Sequence, residues 1–548
     1  MKFFTIHFQF HDANITYFDG EKAHYLKSER VRQIKKHYYE RSSYVLDDVF
    51  SNVHEIKKDC AFMNIDWHNL DAVAFTMGEF NNPDEERAMS WQFNDGWLTE
   101  VSEDIFERLC PMLDLTAKKY YRIEHHWAHK LSADWLYGEM QKGLVMDGAG
   151  DYGNWFSVFD REQRIGDYRV WDSVSLGHLY THAANLMLND EHPPATFERS
   201  GCQDLAGNLM GLMSYGEMSE EYADKIRAIP FPQSVTYATN EFEHRMTVGE
   251  PTTEKHDIIP QTNSAFWHMC DWIHTWQEVM IEQVIAEAKK YFDKDEKFSF
   301  SGGVAHNVVL NEALNREFPN MVVPPCVGDE GQSLGAMYAL LKMNDIKAEW
   351  PEGQAIDEEF EEPNDETISL IADYIANGKI VAVVQGKGEI GPRALGNRSI
   401  LYPTNMDKVP ELLNRRGIKK REWWRPYGIS ILKEDYQDYL DTTTESPYML
   451  HTAQCTNYEA MRGVIHTDGS IRYQTVDESN GWYYKLLKDL KQRTGIPAVT
   501  NTSLNSKGKP LVHDRYHAYE FMQKARPDVM FIGNDCYMVN TKFKMEDE

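Results

Sequence analysis

No stretch of this chain approaches the roughly 18 consecutive apolar residues that a membrane-spanning helix needs, which excludes a helical membrane span. The opening MKFFTIHFQFHDANITYF has one early Lys, but His7, His11 and Asp12 break the apolar run before a secretory core can form. Cysteine is sparse. Cys60, Cys110, Cys202, Cys270, Cys326, Cys455 and Cys536 form no C-x-x-C pair, and their odd number and wide spacing suit free thiols in a reducing cytoplasm. Positive charge is also short: 57 Lys plus Arg stand against 86 Asp plus Glu, for a net charge of −29. A phosphate backbone would be repelled at long range, so any nucleic-acid contact needs a local basic patch. What is present is a globular composition, 42% hydrophobic and 26% charged, over 548 residues. That length suits two or three domains.

The N-terminal stretch alternates apolar residues up to Asp19-Gly20 and then resumes as a strand, which predicts β-hairpins. A comparable strand, polar tip and strand recurs at GLVMDGAGDYGNWFSVFDREQ, suggesting a duplicated α/β fold. Between residues 260 and 345, helical periods alternate with the short strands KFSF and MVVPP. Such alternation predicts a mostly parallel sheet with ligand sites at strand C-terminal ends. Residues 349–366 hold nine acidic residues and two Pro in eighteen, which reads as a solvated linker. The expected division is 1–348, the linker 349–366, and 367–548.

His125 and His129, four apart on a predicted helix, share one face, the spacing for two imidazoles on one metal. Such a pair also arises by chance, and the H-E-x-x-H motif of a metallopeptidase is absent. Asp147 and Asp329, each at a strand-to-loop transition, are the candidate further ligands. Two imidazoles with one or two carboxylates suit Fe(II), Mn(II) or Zn(II) better than Mg(II) or Ca(II). Ser301, Gly302 and Gly303 lie between a strand and a helix, either a plain turn or a phosphate cradle.

Downstream, NRRGIKKREWWRPYG gathers Arg415, Arg416, Lys419, Lys420, Arg421 and Arg425 with Trp423 and Trp424. Guanidinium forks grip phosphate in pairs of bonds, so this segment suits a nucleic acid or, given the acidic chain, a small polyanion. VIHTDGSIRYQTV predicts a hairpin turning at Asp468-Gly469 and presenting Arg472. Asn501, Thr502, Ser503 and Asn505 make a polar loop suited to ribose or phosphate. QGKGEIGPRALGNRSIL matches G-x-G-x-x-G, but Pro392 and Gly396 interrupt the helix that a dinucleotide fingerprint must open. It presents Arg393 and Arg398 instead.

Together these motifs, with EHHWAH, MDGAGD, MGLMSYG, SGGVAHNVVLN, GDEGQSLGAM and NTSLNSKGKPLV, resemble the O-carbamoyltransferase family of nodulation-factor, cephamycin and tobramycin type. The resemblance implies an α/β protein with a duplicated ASKHA-like, threonylcarbamoyl-transferase-like N-terminal domain and a YrdC-like C-terminal domain. It implies that carbamoyl phosphate and ATP, with Mg as its usual companion, yield carbamoyl-adenylate in the C-terminal domain. The N-terminal domain would then carbamoylate a hydroxyl. Matched residue by residue, His125, His129, Asp147 and Asp329 fall on the iron-type ligands, and Ser301, Gly302, Gly303 and Asn307 on a nucleotide site. Arg393, Arg398, Lys419, Arg421, Arg425, Arg472, Asn501 and Ser503 fall on the carbamoyl-phosphate and ATP site. His11 and Lys35 fall on positions facing the acceptor, where they would assist deprotonation and stabilise developing charge.

Asn208, Met213 and Asp151 depart from the family pattern, and the resemblance puts them near the acceptor side. The expected acceptor is a small molecule such as a sugar, natural product or nucleoside. A hydroxymethylated pyrimidine in nucleotide or DNA is the alternative, and a non-catalytic ASKHA-type nucleotide-binding module is the reading of another class. A homodimer is the expected assembly.

Overall fold

The computed structural model describes residues 1–7, 12–34, 49–76, 97–103, 115–188, 203–248, 264–356, 360–407, 413–414, 418–419, 422 and 424–538. The chain divides into two compact units: Met1–Glu29 with Lys36–Pro351, and Arg30–Lys35 with Glu352–Glu548.

Among the described residues, the first unit is built on two sheets. Strands β1 (Phe3–His7), β2 (Asn14–Phe18) and β3 (Ala23–Lys27) form an antiparallel meander, and β1 continues in parallel to β4 (Ala72–Thr76). Beyond β4 lie β6 (Tyr120–Ile123), parallel to it, and then the antiparallel β5 (Leu98–Val101). The second sheet repeats the plan. Strands β7 (Lys142–Met146), β8 (Asn154–Asp160) and β9 (Gln163–Arg169) form the meander, and β7 pairs in parallel with β10 (Phe298–Ser301). This repeat is the duplicated α/β layout expected of an ASKHA-like domain.

Local chemistry explains the strands. Phe3 to His7 are all buried, as suits an apolar run covered on both faces. The turn after β2 closes because Asp19 Oδ1 accepts from the Glu21 and Lys22 backbone N–H groups, both at 2.8 Å, and Gly20 takes φ +112°.

Two helices meet at the heart of this unit, His125–Tyr137 and Gln332–Met343. They approach so closely at Gly335 that a methyl group there would lie 1.9 Å from the Ala128 carbonyl oxygen. Gly335→Ala is therefore expected to force the helices apart and cost roughly 1–3 kcal/mol. Urea denaturation of the full chain checks this, and an unchanged midpoint would contradict it.

Among the described residues, the second unit carries one nine-stranded mixed sheet. Its order is β14 (Leu440–Asp441), β15 (His451–Cys455), β16 (Ser470–Val476), β13 (Gly428–Leu432), β17 (Ala498–Ser503), β12 (Arg398–Tyr402), β11 (Val381–Val384), β18 (Val529–Ile532) and β19 (Asp535–Met538). Helices Asp365–Ala376 and Trp482–Thr494 cover one face, packing Ile371, Ile375, Leu486 and Leu490 onto Val383 and Val499.

Three expectations change here. The described part of 352–366 is not a free linker: Gln354 is fully buried, with its N–H on the Gly388 carbonyl at 2.9 Å. Phe360 lies under the Arg398 and Arg515 guanidiniums at 5.2 and 5.7 Å. The acidic count concealed the apolar and amide residues between the charges. Secondly, the turn at Asp468-Gly469 forms, but Val464 to His466 are not a strand; β16 pairs instead with β15 and β13. Thirdly, of MVVPP only Val322 makes a bridge, to Ser299. The dinucleotide reading fails as expected, since residues 385–397 contain no helix.

Candidate metal centre

The helix His125–Tyr137 begins where Glu124 accepts from the Trp127 N–H at 2.9 Å. Asp151 adds a second anchor: Oδ2 accepts from the His125 N–H at 2.8 Å while Oδ1 pairs with the buried Arg122 guanidinium. Asp151, expected toward the acceptor, thus fixes the start of the helix that carries both histidines. The i, i+4 spacing then places His125 and His129 side by side, their Nε2 atoms 3.2 Å apart.

Asp147, just past β7, sets Oδ2 at 3.0 Å from both Nε2 atoms. Asp329, at the start of a single 3-10 turn before the helix Gln332–Met343, brings Oδ1 to 3.3 Å from His125 and 3.5 Å from His129. The four donor atoms all lie within 4.8 Å of one another; His125, His129 and Asp329 are buried and Asp147 is nearly so. Donors bound to one ion at about 2.1 Å sit roughly 3.0–3.5 Å apart, so the spacing fits a metal.

The electrostatics point the same way. Burial alone would lower the His125 pKa, but the Asp329 and Asp147 carboxylates outweigh it and raise it well above the ordinary imidazole value. His129 is raised by the same carboxylates against the same burial. Burial works to raise the Asp147 pKa, yet hydrogen bonds from the two imidazoles hold it far below the usual carboxylate range. The pocket favours positive charge, which a divalent cation satisfies. His126 differs: burial pushes it down to about 3, and its Nδ1 meets Ser157 Oγ at 2.8 Å, away from the donors.

The outer oxygen of Asp147 is also fixed. Its Oδ1 accepts from the Gly148 N–H at 2.7 Å and the Gly303 N–H at 3.1 Å. Gly302, at φ +92°, allows this, because a Cβ there would strike the Met146 carbonyl oxygen at 2.2 Å. The candidate nucleotide loop is thereby brought onto the centre, with the Gly303 amide committed to Asp147. Ser301 is buried at the end of β10. Asn307 caps the helix Val308–Glu317 by accepting from the Val309 and Leu310 N–H groups, and its amide donates to the Tyr180 hydroxyl.

Sequence reasoning missed His7. It lies on β1, with Nε2 3.6 Å from Asp329 Oδ2 and Nδ1 2.8 Å from Thr76 Oγ1. Asn14 was missed too; its amide donates to the Asp329 carbonyl at 2.8 Å. Both sit in alternating apolar strands, where only their polarity in a buried run signals a role. His11 and Lys35 lie outside the described residues, as do Arg421 and, of the basic segment, Arg415, Arg416, Lys420 and Trp423.

In the second unit, antiparallel pairing of β17 with β12 and β13 gathers candidates at one end of the sheet. Ser503 stands opposite Ser399, next to Arg398, while Gly428 pairs with both Asn501 and Arg472. Lys419 joins them: its Nζ donates to the Ser503 carbonyl at 2.6 Å and hydroxyl at 3.0 Å, and also to Asn505. Asn501 donates to Ser430 Oγ at 3.0 Å and the Ala394 carbonyl at 3.2 Å. Arg425 lies 3.5 Å from Glu422. Arg398, expected at the phosphate site, is engaged by the protein's own carbonyls. Its guanidinium, fully buried, donates to the carbonyls of Gln385, Gly386, Asn397 and His513 at 2.7–3.2 Å.

Fold and site therefore define an α/β protein of two units with a buried two-histidine, two-aspartate centre in the first. Residues 2–338 match the family model for the carbamoyltransferase N-terminus, and residues 372–539 the model for the carbamoyltransferase C-terminus. The chain belongs to the carbamoyltransferase family, a family of transferases. Among relatives, MJ1051 of Methanocaldococcus jannaschii is 35% identical over 461 residues, 76% of this chain and 82% of that protein. Nodulation protein NolNO of Sinorhizobium fredii is 27% identical over 443 residues, 71% of this chain but 60% of NolNO. The 3'-hydroxymethylcephem-O-carbamoyltransferase of Amycolatopsis lactamdurans is 28% identical over 403 residues, 71% of this chain and 74% of the enzyme.

Proposed function

We propose that the chain is an ATP-dependent O-carbamoyltransferase. The observation that carries this reading is the buried quartet His125, His129, Asp147 and Asp329 in a chain matched by both halves of the family model. In the second unit water would hydrolyse carbamoyl phosphate to carbamate and phosphate, and the carbamate oxygen would attack the α-phosphate of ATP. The products are carbamoyl-adenylate and pyrophosphate. Arg393, Lys419, Arg425, Arg472, Asn501 and Ser503 would bind the phosphates, with Arg421 of the same segment, as guanidinium and ammonium groups do best.

In the first unit an acceptor hydroxyl would attack the carbamoyl carbon, releasing AMP and one proton. A divalent ion, Fe(II) in our reading with Mn(II) or Zn(II) meeting the same donor set, supplies Lewis-acid polarisation there. Ser301, Gly302, Gly303 and Asn307 would border the adenylate, while His11 and Lys35 would serve the acceptor side. The Amycolatopsis relative is named for a hydroxymethyl acceptor, which supports a small-molecule hydroxyl here.

The test incubates the full chain with carbamoyl phosphate and labelled ATP. Formation of AMP and pyrophosphate dependent on carbamoyl phosphate is expected, and its absence would refute the activation step. Carbamoylation of a hydroxymethyl acceptor that disappears on chelation and returns with Fe(II) is the second expected result.

A further inference from the structure

The segment Glu389 to Asn397, which leads into β12, has no regular secondary structure, yet nearly every residue in it is tied down. Glu389 is buried, and its Oε1 accepts three backbone N–H groups: Leu395 at 2.8 Å, Asn397 at 2.9 Å and Arg398 at 3.1 Å. Three amides converging on one point form a nest for an anion. Here the anion belongs to the protein.

The outside of the loop is held as firmly. Asn501 and Gln474 donate their side-chain amides to the Ala394 and Leu395 carbonyls, both at 3.2 Å. Arg30 donates to the Gly391 carbonyl at 2.6 Å. Gly396, at φ +122°, lets the chain pass the Tyr483 ring, where a Cβ would come within 2.8 Å. Asn397 bridges the Lys387 carbonyl and Trp482 Nε1. Within this mount the Arg393 side chain is half-buried, whereas Arg398 is enclosed.

We infer that Glu389 is a positioning residue: its carboxylate acts as an internal anion that folds the loop on itself and so aims Arg393 at the phosphate of carbamoyl phosphate. This rests on the reading of the second unit as the activating site. An internal anion removes the need for the substrate to organise the loop, so binding does not bear that ordering cost.

The consequence is a split between binding and turnover. In Glu389→Ala the amides lose their acceptor. The KM for carbamoyl phosphate is expected to rise about tenfold or more, as for loss of an aligned charge-assisted contact, while kcat of pyrophosphate formation changes much less. Glu389→Gln keeps one acceptor oxygen, and its amide can take the place of Oε2, which has no partner among the described residues. This variant should show a smaller KM rise, on the order of threefold, and it carries the test where the alanine variant does not fold.

Hydrogen exchange of residues 394–398 in the full chain is the independent readout, with exchange fastest in Ala, intermediate in Gln and slowest in Glu. Unchanged exchange, or a fall in kcat at constant KM, overturns the inference. A wild-type chain that makes no pyrophosphate refutes instead the activating role of the second unit. Exchange then still decides whether Glu389 holds the loop.

Discussion

Asn in place of Asp147 is expected to empty the centre of metal and to lower acceptor carbamoylation by at least about 100-fold, since changes even to groups behind metal ligands cost about 10–100-fold. The substitution is nearly isosteric. Its carbonyl can keep the Gly148 and Gly303 N–H bonds that Oδ1 now accepts, so the loop should hold its shape. What disappears is the anion whose Oδ2 stands 3.0 Å from both imidazoles. Elemental analysis of the purified variant should show little bound metal, circular dichroism should remain native, and pyrophosphate formation in the second unit should persist. Retained metal with full transfer would remove Asp147 from the centre.

Arg398→Ala should unfold rather than merely inactivate. Four carbonyls, two of the contacts buried and two partly buried, would lose the donor they share, and an orphaned buried acceptor costs about 1–3 kcal/mol. A loss of at least about 3 kcal/mol is expected on that basis. Burial already pushes the guanidinium down to about 10, a mark of its enclosure. Arg398→Lys should recover only part of the loss, because one ammonium cannot span four carbonyls on two sides. Urea denaturation measures the effect. A stable variant with only a raised KM would restore Arg398 to the phosphate site.

The contrast between Asp147 and Arg398 shows what the sequence made legible. His125 and His129 could be paired because one helical turn is a local relation, and Asp147 and Asp329 because strand ends gather ligands. The duplicated meander was visible in two similar segments. Burial was not. Arg398 in a glycine-rich loop looks like a surface phosphate grip, and only the fold around it reveals four carbonyls. Phe360 and Gln354 disappeared into an acidic count for the same reason. The pairing of β16 with β15 and β13 depends on residues far apart in the chain, which a turn at Asp468-Gly469 does not encode. His7 was hidden by its neighbours: a histidine in an apolar strand shows its purpose only when Asp329 arrives across the unit.

That arrival has a timetable. His125, His129 and Asp147 lie within one short stretch, but Asp329 comes 204 positions after His125 (329 − 125). At roughly 5–20 residues per second, a ribosome needs about 10–40 s to span that interval. During it the growing chain carries two imidazoles and one carboxylate without the donor that completes them. The centre is therefore a late event in the life of the molecule, available only to a chain that has nearly finished its first unit.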